Sequence, residues 1–453
     1  MRAYVYHYTS LFKNGLRAFP EVDNEGSFCL EATNLKPYSG AMVNVDKLSR
    51  SFSVNEAAQI FRTSIGDFLF TSTTMYQISP TKVLTQILTG LTVGGAWSCA
   101  DFRRYIVFTN GSVTIHKDIL SNSFVTTSAV PLAGSLCNAN GRLIMGNMKA
   151  TSETNKLVYS EIGSTRIPDV QSLDAARVNT GGFVYMPWAG SIFKVLPMGK
   201  DFVAYGSGGI TAYVSSADGK VGEKPIDEVG IPSAYAAVFA QQKRGAPPRH
   251  FFISNDGTLY GMGPDFDPKQ IGYEEFIGTL ANVRMSFNTK DNELIVGQPT
   301  TSLILTEKGM GAISGYIEDC VYSAAAGLLV HASAAITQTD ITLTSDILNF
   351  SWEGFKTVQS IFIDCLCPDT IQVGAYYRHS TKDSWSTSGW TNVTSAGVGY
   401  LGISAVEFKL RLKIPSFTSA VLHKIKVTVQ LDDKRFVKGA GVNANQTSSE
   451  SAR

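Results

Sequence analysis

This 453-residue sequence predicts an all-β fold, a β-propeller of about six blades followed by a C-terminal β-sandwich. Three observations predict it. A short phrase returns six times, an apolar run of three or four residues, a tight turn and a second alternating run. Alternation with a period of two dominates the chain, which is the strand signature. After about Ala335 the strands lengthen and lose the repeat spacing. The clearest copies of the phrase begin at Asp67, Arg104, Asp201 and Arg249, and looser ones at Arg142 and Asn292. Their starts lie roughly 37 to 59 residues apart, near or somewhat above the length of a propeller blade, so some blades carry insertions.

In chain order, residues 1–58 read as an irregular arm whose short strands close the propeller, and 59–335 as the propeller itself. Asn110-Gly111, Asn140-Gly141, Gly208-Gly209 and Asp256-Gly257 are placed to supply the positive φ angles of tight hairpins. Only Glu228–Arg244 tempts a helix within the ring, and Val238–Gln241 inside it reads equally as a blade strand. Ala324–Ile336 is too short to span a membrane and reads as a buried core segment. Residues 336–435 form the expected sandwich. Near-perfect alternation over Glu407–Lys413 gives one apolar and one basic face, as a half-buried sheet requires. Residues 436–453, small and polar, are expected to be a flexible tail.

Composition narrows the function. Lys and Arg number 39 against 38 Asp and Glu, so no net field favours wrapping nucleic acid. Six cysteines are too few for a disulfide scaffold in a chain of this length, and Cys29, Cys99, Cys137 and Cys320 read as buried thiols from a reducing compartment. Cys365 and Cys367 share one strand face, with packing favoured over metal because no His or second Cys pair accompanies them. The N-terminus lacks an apolar signal core, so neither secretion by a standard signal nor membrane insertion is expected.

Catalytic spacings are missing. There is no nucleophile elbow, zinc-protease helix or phosphate loop. Gly397, Gly399 and Gly402 match a dinucleotide fingerprint in spacing, but no strand–helix unit surrounds them. The histidines 7, 116, 250, 331, 379 and 423 share no metal-ligand spacing. Asp265, Asp267, Glu274 and Glu275 are the one acidic cluster that a glycosidase or a calcium site would use. No cofactor is implied. Two residue groups remain as candidates for binding. Arg103, Arg104, Arg244, Arg249, Lys409, Arg411 and Lys413 are candidates to line a nucleic-acid channel. Lys243 adjoins the second of these clusters, and Lys424 and Lys426 extend the last one if their strands pair. Trp188, Trp385 and Trp390 are candidate interface aromatics, with sugar stacking and core packing as the other uses of the last two.

Four stretches carry a family resemblance: Ala32–Val45, Lys156–Val170, Ile192–Val214 and Val406–Gln430. Together they resemble the tail tubular or nozzle proteins and the packaged-DNA stabilisation proteins of short-tailed bacteriophages. Ser164-Thr165-Arg166 departs from the family's usual turn. The resemblance implies a virion structural protein without catalysis, made in the host bacterial cytoplasm. It implies a homohexameric ring around the DNA exit channel, contacting portal, adaptor and distal tail proteins. Double-stranded DNA would slide through without sequence-specific binding, which suits a near-neutral chain. A phage receptor-binding or baseplate protein that recognises a host glycan or protein is the alternative. A propeller glycosidase comes after it.

Overall fold

The structure is a computed structural model, and it describes residues 3–8, 15–16, 29–45, 48–102, 105–121, 123–126, 131–149, 152–160, 181–216, 221–240, 247–278, 280–350, 352–416 and 419–431. Among the described residues the regular structure is β apart from one short 3-10 turn at Leu280–Asn282. The chain divides into two units, Ser49–Ser302 with Gly315–Ile336, and Met1–Leu48 with Leu303–Ser314 and Thr337–Arg453.

The first unit is a propeller. Its first blade is Gln59–Thr63, Gly66–Phe70, Met75–Ile78 and Leu84–Leu88, paired antiparallel in chain order. Four more four-stranded blades follow, with inner strands Ser98–Phe102, Ala133–Ala139, Ile192–Met198 and Ala237–Ala240. Arg284–Asn288 with Glu293–Gly297, and Asp319–Ser323 with Gly327–His331, form two further hairpins. Asp319–Ser323 lies against Gln59–Thr63 and so closes the ring. The Asp319 carboxylate accepts the Ile60 N–H at 2.7 Å across that closure. Five complete blades and two further strand pairs thus stand in this unit, against the about six blades expected. Five of the repeated phrases build a complete four-stranded blade within this unit. The second half of the sixth, Thr301–Thr306, spans the point where the chain leaves this unit.

Each phrase is the second and third strand of a blade. The second strand is covered by neighbouring blades on both faces, so it reads as a continuous apolar run. Phe68–Phe70 and Ile106–Phe108 are fully buried in this way. Outer strands face solvent, as the mostly exposed Val221–Asp227 shows. Between the first two blades an aromatic seam forms, with ring centroids of Phe70 and Phe108 4.6 Å apart and those of Phe70 and Trp97 also 4.6 Å apart.

Turn chemistry matches in part. Asn140 and Gly141 have φ of 50° and 68°, and Gly111 and Gly257 are also positive. Gly208 and Gly209 are glycines for another reason, the close approach of the preceding loop. A Cβ on Gly208 would meet the Ala189 carbonyl oxygen at 2.1 Å, and one on Gly209 the Trp188 ring at 2.3 Å. Gly209→Val is expected to lower stability by about 1–3 kcal/mol through overpacking. The denaturant midpoint measures it, and an unchanged midpoint contradicts this packing. Among the described residues of Glu228–Arg244 there is no helix, and Ala237–Ala240 is a strand, as the other reading had it.

The second unit holds two sheets around one apolar interior. One runs Leu35–Tyr38, Ala41–Asn44, Val421–Leu431, Lys356–Leu366 and Val398–Ala405, with Ala3–Tyr8 also paired to Val421–Leu431. The other includes, as neighbours in this order, Gly309–Ser314, Cys29–Thr33, Ile341–Ser345, Glu407–Ile414 and Gln372–Arg378. Leu343, Ile361, Val373, Leu410, Leu412 and Ile425 meet between them. This corrects the expected boundaries. The N-terminal strands complete the sandwich rather than close the propeller, because Cys29–Thr33 pairs with Ile341–Ser345 and Ala41–Asn44 with Val421–Leu431. Residues 303–314, expected inside the propeller, belong to the sandwich as well.

Candidate functional site

Glu407–Ile414 alternates strictly, with Phe408, Leu410, Leu412 and Ile414 buried and Lys409, Arg411 and Lys413 on the opposite face. Its neighbour Gln372–Arg378 places Tyr376 opposite Lys409, and Arg378 opposite Glu407. Beyond it, Ser386–Thr387 and Thr391–Asn392 both pair with that same strand. The three residues between them interrupt the pairing as a bulge. Ser388 anchors the bulge, its N–H donating to the Ala375 carbonyl at 2.9 Å and its hydroxyl accepting the Ala375 N–H at 2.8 Å. Gly374 lies beneath, where a Cβ would come 3.2 Å from the Ser388 hydroxyl and 3.5 Å from the Trp390 ring.

The result is a layer of interleaved cations and rings. The Arg411 guanidinium sits 4.3 Å from the ring centre of Tyr376 and 4.3 Å from that of Trp390. Trp385 takes Arg378 at 4.6 Å and the Lys409 ammonium at 4.4 Å. Arg378 is also ion-paired with Glu407, and Lys413 with Asp340 at 2.9 Å. Burial, and then the nearby Arg378 charge, hold the Lys409 ammonium below its usual range. Trp390 keeps 37% of its surface exposed. The layer thus has rigid aromatic area, and its charges are largely matched by rings and carboxylates.

Of the residues expected to bind, the fold brings Lys409, Arg411, Trp385 and Trp390 together here, with Lys413 one step along the strand. Lys424 and Lys426 do not extend the stripe, because Val421–Leu431 belongs to the other sheet. There Lys424 stands opposite Asp364, and Lys426 lies 5.2 Å from the Phe362 ring centre. Arg103, Arg104, Lys243 and Arg244 fall outside the described residues. Arg249 is exposed at the start of its blade strand. Trp188 belongs to the propeller, where its Nε1 donates to the Ile210 carbonyl at 3.2 Å and its ring covers Gly209. Asp265, Asp267, Glu274 and Glu275 are exposed loop residues. Cys365 is pushed up to about 12, chiefly by burial and then by Cys367 beside it. Tyr376 and Arg378 were not singled out from the sequence. The alternation of Gln372–Arg378 carries their signal, but only the pairing with Glu407–Ile414 gives it meaning.

No family model and no curated protein matches this sequence. Among solved structures it is similar to BamB from Moraxella catarrhalis, with 11% identity over 63% of this chain and 96% of that one and a TM-score of 0.36. It is similar to the WD40 β-propeller domain of Doa1, with 12% identity, coverage of 62% and 92%, and a TM-score of 0.39. A third is PorZ, an essential surface component of the type-IX secretion system of Porphyromonas gingivalis, with 9% identity and a TM-score of 0.37. That match covers 65% of this chain and 36% of PorZ, so the chain spans about a third of that protein. Likenesses this distant carry no functional argument.

Proposed function

We propose that this chain is a structural subunit of a short-tailed bacteriophage tail, a nozzle or head-to-tail connector component. It assembles with copies of itself, six to a ring, around the DNA exit channel, helps retain packaged DNA and carries distal tail parts. Portal, adaptor and distal tail proteins are its partners, and the role needs no catalysis. The observation that carries this reading is the layer of Trp385, Trp390 and Tyr376 interleaved with Arg378, Lys409 and Arg411. Trp, Tyr and Arg are the residues that dominate the energetics of protein interfaces. Rings already stacked on cations lose little side-chain freedom on docking, which favours association. Cations matched by rings, Glu407 and Asp340 are poorly placed to hold phosphates, so this face suits a subunit contact better than a channel wall. Rings form through heterologous contacts, in which this face of one subunit meets a different surface of the next.

Trp390→Ala and Arg411→Ala are expected to weaken assembly by about 2 kcal/mol each or more, typical of interface anchors. Sedimentation of purified wild-type and variant chains reads this directly. Equal assembly by both variants would remove the face from the interface. Monomers or trimers that bind host cells would favour a receptor-binding protein instead.

A further inference from the structure

At the end of the ring where the inner strands begin, residues of several blades line an open pocket of about 280 Å3. Gln59 enters from the first blade and Gly95 and Trp97 from the segment leading into the second. Tyr235, leading into the fifth blade, and Arg284, heading the hairpin after it, complete the wall. The volume corresponds to roughly nine waters, enough for a ligand of metabolite size.

Most polar groups in the wall are satisfied by one another. The Gln59 amide accepts the Trp97 N–H at 2.6 Å and donates to the Trp97 carbonyl at 3.3 Å. Trp97 Nε1 donates to the Thr71 carbonyl at 2.8 Å. Arg284 differs. Its guanidinium lies 4.1 Å from the Tyr235 ring centre and faces the Tyr316 hydroxyl, yet its Nη1 is buried without a hydrogen-bond partner among the described residues. Native proteins leave few such donors unpaired. Two carboxylates, Glu318 and Asp319, lie in electrostatic reach of Arg284, but neither hydrogen-bonds its Nη1. Glu318 accepts the Ser333 hydroxyl at 2.6 Å and lies 3.2 Å from His331 Nε2, while Asp319 accepts the Ile60 N–H. Lys194 adds a further positive charge near Asp319.

We propose that this pocket binds a small ligand presenting an oxyanion, a carboxylate or a phosphate. The Arg284 fork takes the oxyanion, and the Trp97 and Tyr235 rings flank the ligand's apolar body. The wall is preformed. Gly95 N–H donates to the Asn110 carbonyl at 2.7 Å, and the Asn110 amide donates to the Thr92 carbonyl at 2.9 Å. A Cβ on Gly95 would have only that carbonyl oxygen near it, at 3.6 Å, so a larger side chain there fills space without breaking the wall.

The test is thermal unfolding and titration calorimetry of the full chain with sodium phosphate, sodium succinate and, at matched ionic strength, sodium chloride. Phosphate or succinate is expected to bind saturably and raise the midpoint beyond chloride, and whichever does so names the oxyanion. Arg284→Gln should weaken binding by at least about tenfold, the loss of a charge-assisted pair. Arg284→Lys, which keeps the charge and loses the fork, should fall between the two. Gly95→Leu should abolish binding while leaving Arg284 and a cooperative unfolding transition intact. The site is overturned if neither anion exceeds chloride, or if Arg284→Gln and Gly95→Leu bind as the wild type does.

Discussion

Replacing Phe108 with Ala is expected to destabilise the protein by about 3–5 kcal/mol, the range for a fully buried aromatic. Phe108 has no exposed surface. Its ring touches those of Phe61, Phe68, Phe70 and Phe124, with centroid separations of 5.9, 5.8, 4.6 and 6.4 Å. These rings come from both of the first two blades and their connections, so the hole would open where blade meets blade. Tilted and edge-on pairs add about 0.5–1.5 kcal/mol each beyond area burial, which places the substitution at the upper end of the range. Leu120→Ala is the control: that side chain is 81% exposed and should change stability by less than about 0.5 kcal/mol. Urea midpoints of the two variants decide it. Similar midpoints would mean that the seam between the blades is not a core.

The second large effect is on pH dependence. His250 is fully buried, with Nδ1 2.8 Å from the Tyr205 hydroxyl and Nε2 2.9 Å from the Pro197 carbonyl. Burial, with Lys194 nearby, pushes it down to about 4 despite the Pro197 contact. A histidine whose folded value lies below its unfolded 6.5 is protonated first in the unfolded chain. Its contribution is therefore complete above pH 6.5 and is lost as pH falls from 6.5 to about 4. Over that window the loss amounts to about 3 kcal/mol. Glu318 adds to it lower down. Burial alone would raise its carboxyl, but the nearby His331 imidazole and the hydrogen bond from the Ser333 hydroxyl outweigh this and bring it to about 2. Its stabilisation is present above its unfolded 4.5 and is lost between 4.5 and 2. Stability measured from pH 7 to pH 4 should fall steadily, and His250→Gln should start lower and lose most of that slope. A wild-type curve flat across this window would contradict a buried neutral His250.

The propeller was legible because each blade's second strand is sandwiched between neighbours. That geometry turns Phe68–Phe70, Ile106–Phe108 and Val203–Tyr205 into apolar runs with turn residues behind them. The number of blades was not. The last inner strand, Asp319–Ser323, belongs to a two-stranded hairpin with no repeated phrase of its own. The sandwich could be read from Glu407–Ile414, yet its membership could not. Cys29–Thr33 pairs with Ile341–Ser345 more than 300 residues away, and nothing local in either strand announces the partner. The same holds for binding. Arg411 and Trp390 were each visible as a basic or aromatic residue, but their stacking depends on the bulge between Ser386–Thr387 and Thr391–Asn392. The residues around Arg284 come from widely separated blades, and no linear spacing links them.

The central claim, that this chain is a ring-forming tail subunit, is tested most directly by its mass in solution. The purified 49.0 kDa chain, alone and mixed with its portal, should give a particle of six chain masses by native mass spectrometry. The Trp390→Ala and Arg411→Ala variants should shift that particle toward the single chain. A wild-type chain that remains a stable monomer and joins neither ring nor portal would contradict the account.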